Sequence, residues 1–238
     1  MEPDNTNDTD NTAANTSPIS AIGLNCTLKK SPEISHSGAL LDKVMGLLDH
    51  WGAETEVLRV VDHDVPFGVS SDEGSGDDWP MILDKLKAAD ILIMAMPIWF
   101  GVRSSVAQLV IERLDGTYRE EMNDKGQFPL YNKVAGVVVT GNEDGAHDAS
   151  ATTLFNLSHL GYVVPPNSDC YWVGEAGPGP SYLDAGGPNH LYTNRGARLV
   201  AYNCFQMAET MRLRPFKTNF TVVQEEAIKQ SMGAGLDG

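Results

Sequence analysis

The stretch Asp90-Ile-Leu-Ile-Met-Ala-Met-Pro97-Ile-Trp-Phe-Gly101-Val-Arg-Ser-Ser105 decides the fold. A continuous apolar run meets Pro97, passes two adjacent aromatics, Trp99 and Phe100, then Gly101, and enters a polar turn. Beyond the turn, Val106, Leu109, Val110, Arg113 and Leu114 recur at spacings of three and four. The order is a buried strand, a loop at its carboxyl end, and a helix packed back on the sheet. In an open α/β sheet, ligands sit outside the carboxyl ends of strands, where such loops lie. Pro97, Ile98, Trp99, Phe100 and Gly101 are therefore candidate binding residues. The aromatic pair offers a flat apolar wall, and the glycine lets backbone approach a ligand closely.

Upstream, Ile19-Ser-Ala-Ile-Gly-Leu-Asn25 reads as a first strand. Its loop, Asn25 to Gly38, leads into a helix with Leu40, Leu41, Val44, Leu47, Leu48 and Trp51 on one face, capped by Ser35 or Ser37 and stopped at Gly52. A strand, a hydroxyl-rich loop and a helix N-terminus together suit an anion, with Asn25, Cys26, Thr27, Lys29, Ser35 and Ser37 as candidate contacts. An ordinary βα loop reads equally well, because no glycine fingerprint is present. Cys26 fits either a thiolate near a helix N-terminus or a small packed residue. Glu56 to Val61 is a second strand, and Pro80 to Ala89 a helix opened by proline. Between them, Asp62 to Trp79 is a long acidic loop, of a length that is either functional or disordered.

Downstream, Lys133-Val-Ala-Gly-Val-Val-Val-Thr-Gly141 is a near-continuous apolar strand, as a parallel sheet covered on both faces requires. It runs into Gly141-Asn-Glu-Asp-Gly145-Ala-His147, so Thr140, Gly141, Asn142, Gly145 and His147 join the candidate site. A helix with Leu154, Leu157 and Leu160 follows, and then an interrupted last strand, Tyr162 to Pro166 and Asp169 to Val173. Gly174 to Asn189, dense in Gly and Pro, is a shaped loop. Leu191 to Leu213 is the last long helix.

Strands and helices alternate, about five of each. This predicts one α/β domain with a doubly wound, three-layer, five-stranded parallel sheet of order 2-1-3-4-5. Strands one, three and four are then central neighbours, so the three loops meet over one crevice. The domain is expected over residues 18–216, with a disordered polar tail at 1–17. A partly disordered C-terminal extension, residues 217–238, has its Gly-rich end from Gln230 onward.

The chain has 238 residues and a formal charge of −15, which argues against a nucleic-acid backbone or an anionic membrane as partner. No apolar window of about 18 residues suggests a membrane span, and no secretory signal is visible. Three widely spaced cysteines, Cys26, Cys170 and Cys204, make no disulfide framework, which points to a reduced cytoplasmic protein. The six histidines show no paired ligand spacing, so no metal site is expected.

From about Ile19 to Met211 the sequence resembles the flavodoxin-like NAD(P)H-dependent FMN reductases, including their multimeric quinone-reductase branch. Pro97-Ile-Trp-Phe-Gly-Val-Arg-Ser-Ser105 with Ile111-Glu-Arg-Leu114 looks like the family's second loop and helix. Thr140-Gly-Asn-Glu-Asp-Gly145 matches its Thr-Gly-x-x-x-Gly. In the first loop, Asn25-Cys-Thr-Leu-Lys-Lys and Ser35-His-Ser37 stand where the family has Gly-Ser-x-Arg. The resemblance implies FMN held by its phosphate on the first loop, with its ring system between Pro97–Arg103 and Thr140–Gly145. It also implies NAD(P)H as hydride donor, a quinone or similar small-molecule acceptor, and a homodimer or homotetramer. No catalytic side chain is required, since the cofactor carries the chemistry. The alternatives are a flavodoxin-type electron carrier, which the acidic surface suits, and a flavin-binding module without turnover.

Overall fold

The computed structural model describes residues 17–120 and 122–233. Six strands are present among the described residues: β1 (Ser20–Asn25), β2 (Glu54–Arg59), β3 (Ile91–Trp99), β4 (Val102–Arg103), β5 (Val134–Gly141) and β6 (Asp169–Val173). The helices are α1 (His36–His50), α2 (Trp79–Ala88), α3 (Ser105–Leu114), α4 (Ala146–His159), α5 (Leu191–Leu213) and α6 (Phe220–Ser231). The parallel sheet runs β2-β1-β3-β5-β6, and β4 pairs only with β3. With the short β4 set aside, this is the expected order 2-1-3-4-5.

Alternation along β3 explains the three layers. Leu92, Met94, Met96 and Ile98 join one core with residues of α2, α3 and α4, while Ile91, Ile93 and Ala95 join the other with α1 and α5. Successive strand side chains point to opposite faces, so a strand covered on both sides must be apolar at every position. This is why the run reads as unbroken in the sequence.

The structure departs from the sequence reading in four places. β3 does not stop at Pro97, which pairs in register with Thr140; it continues to Trp99 and folds back on Val102 and Arg103. Two residues are too short a strand to show a period. Strand β2 covers Glu54–Arg59, two residues earlier than expected, because Val60–Asp62 tightens into a 3₁₀ turn. Of the interrupted last strand, Val163 contributes one bridge to Val134 and only Asp169–Val173 is a full strand. Gln230 and Ser231, expected in a disordered end, close helix α6. The Asn219 side chain caps that helix by accepting from Val222 N–H, and Phe220 packs on Phe128 and Tyr131 at 5.2 and 5.3 Å. Apart from Ser17, the expected tail 1–17 lies outside the described residues, as do residues 234–238.

Asp90, which opens the deciding stretch, ties the start of β1 to the last turn of α5. It accepts from Ser20 N–H and Oγ, both at 2.8 Å, and from Arg212 Nε and Nη2 at 3.0 and 2.6 Å. Burial alone would raise its carboxyl pKa, but the hydrogen bonds from Arg212 and Ser20 outweigh it and hold it below the ordinary value. A carboxyl whose folded pKa is depressed contributes stability above its unfolded pKa of about 3.9, and that contribution is lost as pH falls. Asp90→Asn is therefore expected to lower stability by about 1–2 kcal/mol at pH 7. In urea unfolding the gap to the parent chain should close below about pH 4; a gap independent of pH would contradict this.

Candidate functional site

The carboxyl ends of β1, β3, β5 and β6 surround one crevice of about 470 Å³. Nine candidate residues line it: Thr27, Lys29 and Ser37 from the first loop, Pro97, Ile98 and Trp99 from the second, and Thr140, Gly141 and Asn142 from the third. The Ser37 and Thr140 hydroxyls meet at 2.7 Å, which joins the start of α1 to the end of β5. Both residues are buried, so the pair is fixed.

Asn25, Ser35 and Cys26 lie beneath this surface. Asn25 Oδ1 accepts from Thr27 N–H and from Ser35 Oγ, each at 3.2 Å. Ser35 in turn caps α1, accepting from Gly38 N–H at 2.9 Å. These two hold the shape of the loop. Cys26 is a core residue: its N–H donates to the Ala95 carbonyl, and its carbonyl accepts from Ser104 Oγ, each at 2.8 Å. Burial pushes its thiol up to about 12. The side chain is fully buried in the core on the α2–α4 face of the sheet, which favours packing.

Phe100, Gly101 and Gly145 form a brace between the second and third loops and do not line the crevice. Phe100 has φ +50° and is 93 % exposed. Its N–H donates to Glu143 Oε1 at 2.9 Å. Gly145 has φ +124°, and a Cβ there would sit 2.2 Å from the Gly101 carbonyl oxygen. Only glycine permits that approach. His147 lies outside the crevice, its Nε2 3.2 Å from the Tyr171 hydroxyl.

Further lining residues were not singled out from the sequence. Glu143 comes from the third loop, His36 from the first turn of α1, and Trp172 from the end of β6. Gly177, Ser181 and Tyr182 come from the Gly- and Pro-rich segment 174–190, which crosses the crevice as a strap. Asn142 Nδ2 donates to the carbonyls of Gly179 and Pro180, and its own carbonyl accepts from Gly177 N–H. Leu183 N–H donates to His36 Nδ1 at 3.3 Å. Burial lowers the His36 pKa, Asp184 opposes the shift, and Lys29 adds to it. A neutral ring whose Nδ1 accepts must carry its proton on Nε2. Tyr182 packs edge-on to Trp172 at 5.7 Å and is 1 % exposed. Its hydroxyl has no hydrogen-bond partner among the described residues, and burial, followed by the effect of Cys170, pushes its pKa up to about 12.

Arg103 bonds to Gln108 and Asn156. Arg195 and Arg198 line a separate apolar groove with Trp51, Leu191 and Tyr202. Among the described residues, no group of three or more His, Cys, Asp or Glu could hold a metal ion. No helix among them is long and apolar enough to cross a membrane.

A doubly wound sheet with an apolar-floored, hydroxyl-ended crevice at its switch point defines a flavodoxin-like protein. An archaeal flavodoxin shares the fold, with a TM-score of 0.51 over 80 % of this chain and 99 % of that one at 9 % identity. Residues 20–176 match the model of the NADPH-dependent FMN reductases, and the chain belongs to that family. It is 40 % identical over 223 residues to an 8-demethyl-8-aminoriboflavin-5'-phosphate synthase of Streptomyces davaonensis, covering 90 % of this chain and 86 % of that protein. The structure of RosB with bound 8-demethyl-8-formylriboflavin-5'-phosphate superposes with a TM-score of 0.83 at 40 % identity, covering 89 % of this chain and 87 % of that one. A Mycobacterium bovis protein named divalent metal cation transporter MntH is also 40 % identical, over 200 residues. That match spans 82 % of this chain but 29 % of the transporter.

Proposed function

We propose that this protein is an oxidoreductase that holds FMN in the crevice, reduces it with NAD(P)H and passes the electrons to a quinone or similar small acceptor. The observation that carries this reading is the convergence of three strand-end loops on one crevice with an apolar floor and a hydroxyl-rich end. The residues fit the group. At one end are the Ser37–Thr140 hydroxyl pair, the first N–H groups of α1 and the Lys29 ammonium, which suit a phosphate. Pro97–Trp99 and Thr140–Glu143 flank a slot for a planar ring. FMN supplies the redox centre when bound; the chain supplies orientation and a dry, shaped surround. Trp99, half exposed at the rim, offers a flat face to a nicotinamide or an aromatic acceptor. With Phe100 and Val102 it forms an exposed apolar tip, which supports a homodimer or homotetramer in which a second copy covers it.

A second reading is favoured by the 40 % identity to the aminoriboflavin-phosphate synthase, which runs across 90 % of this chain. In it FMN is the substrate, and position 8 of the flavin is what the enzyme alters.

Two parallel experiments separate the two. The intact chain is mixed with equimolar FMN under anaerobic conditions, and the visible spectrum is followed with and without NADPH or NADH. A second sample is incubated in air with an amino-acid nitrogen donor, because exchanging the 8-methyl for an amino group needs an oxidant and a source of nitrogen, and its flavin is weighed by mass spectrometry. Bleaching much faster than that of free FMN in the first sample, with the flavin mass unchanged in the second, is the expected result. A changed flavin mass in the second sample without bleaching in the first selects the second reading. Bound flavin with neither change leaves a carrier or sensor and overturns both.

A further inference from the structure

Helix α6 is anchored at its start. Phe220 N–H donates to the Lys125 carbonyl at 2.8 Å, and Gln127 Nε2 donates to the carbonyls of Phe216 and Thr218 at 2.9 and 3.0 Å. Yet none of the twelve residues of α6 is buried. A helix of this length is marginal in water unless one face packs on something. Val222, Glu225, Ile228 and, at the C-cap, Met232 recur at spacings of three and four, on the side turned away from Phe220. All four are exposed, as is Glu226. The stripe is apolar at both ends and acidic between them.

Helix α5 carries the opposite pattern. Leu191, Arg195, Arg198 and Tyr202 recur at spacings of four, three and four, and line a groove of about 420 Å³ with Trp51, which packs edge-on to Tyr202 at 5.3 Å. Leu191 and Tyr202 are exposed. Neither arginine has a hydrogen bond or an ion pair among the described residues. This stripe is apolar at both ends and basic between them. Each stripe is roughly 15–17 Å long, from the helical rise per residue.

We infer that the groove receives α6 of a second copy of this chain, and that two copies exchange these arms reciprocally. In its own chain α6 buries none of its residues, so the arm that fills the groove comes from another copy. Charge selects the pairing. Each copy carries a formal −15, so two copies repel unless local charges match. Glu225 and Glu226 meet Arg195 and Arg198 in the exchanged arrangement, whereas α5 packed on α5 of another copy would set arginine against arginine. The apolar ends supply anchors at helical spacing, the usual basis of helix-in-groove docking. A two-fold exchange closes and fills both grooves. It uses a different surface from the tip formed by Trp99, Phe100 and Val102; the two contacts together make four copies.

The test is sedimentation velocity of the intact chain and two charge-reversed variants at micromolar concentration. One variant carries Glu225→Arg with Glu226→Arg, the other Arg195→Glu with Arg198→Glu. All four positions are exposed, so the fold of each copy is retained. Each variant alone should show half the mass of the parent assembly, because its arms and grooves then carry like charge. An equimolar mixture of the two should recover the parent mass. In the mixture arginine arms enter glutamate grooves, and glutamate arms enter arginine grooves. Recovery in the mixture marks a contact between copies, since a contact within one chain cannot be repaired by adding another. A parent that sediments as a single chain, a variant that keeps the parent mass, or a mixture that stays at half of it would each overturn the inference.

Discussion

Replacing Arg113 by methionine is expected to destabilise the protein by about 3–5 kcal/mol, because it leaves a buried charge without its partner. Arg113 sits on α3 with its side chain fully enclosed, and its partner Asp77 is equally enclosed. The guanidinium donates to both Asp77 oxygens, at 2.5 and 3.2 Å, and to the carbonyls of Pro66 and Ser70 at 2.9 and 3.0 Å. It also lies 5.6 Å from the Trp79 ring centroid. Asp77 spends its remaining capacity on the N–H groups of Glu73 and Trp79. Burial alone would raise its carboxyl pKa; the Arg113 and backbone hydrogen bonds outweigh this and lower it. Methionine fills much of the arginine volume but leaves a buried carboxylate and two carbonyls without a donor. Urea unfolding at pH 7 measures the loss. The double variant Arg113→Met with Asp77→Leu should recover much of it, because removing both charges leaves no uncompensated one. A single variant within about 1 kcal/mol of the parent would show that the pair carries no such weight.

Gly145→Ala should abolish most of the flavin affinity while leaving the chain folded. At φ +124° an added Cβ would sit 2.2 Å from the Gly101 carbonyl oxygen and 2.6 Å from its Cα. Backbone cannot yield there as a flexible side chain would, so the second and third loops must separate. The expected losses are at least about tenfold in FMN affinity and about 1–3 kcal/mol in stability. Gly52→Ala is the control: φ is +93° there too, but nothing lies within 4 Å of the added atom. It should cost stability alone. Parent-like FMN binding by Gly145→Ala would show that the brace does not set the crevice.

The same contrast between local and distant causes explains what the sequence made legible. Pro97 to Trp99 and Thr140 to Asn142 could be read because each lies at the carboxyl end of an apolar strand. The order of the strands then brings them together without further information. Ser35 as the cap of α1 is equally local. The strap was legible only as a segment that is neither helix nor strand. Its path is set by Asn142 and by His36, the latter 147 positions from Leu183, and no periodicity records such contacts. His36 stood between two serines that had an evident use as helix caps, and Tyr182 stood between Gly, Pro and Ser with no pattern of its own. Arg113 fell on the apolar spacing of α3, and its burial follows from Asp77, 36 positions earlier. The long acidic segment 62–79 was open between function and disorder for the same reason. Its anchors are distant in sequence: Arg113 holds Pro66, Ser70 and Asp77, Ser71 donates to Glu120, and Asp62 accepts from Ser31. Cys26 shows the converse limit: a reactive residue type next to a helix start is inert when both its backbone groups and its thiol are enclosed.

The most direct test of the central claim is an equilibrium titration of the intact chain with FMN, read by flavin fluorescence, beside the variant Thr140→Leu. Trp99 and Trp172 line the crevice, so a flavin seated there is quenched on binding. The parent is expected to saturate at one FMN per chain, and the variant, whose side chain takes the place of the Ser37-paired hydroxyl, is expected to lose that saturation. A parent chain that leaves flavin fluorescence unchanged, or a variant with the same curve as the parent, would place FMN outside this crevice.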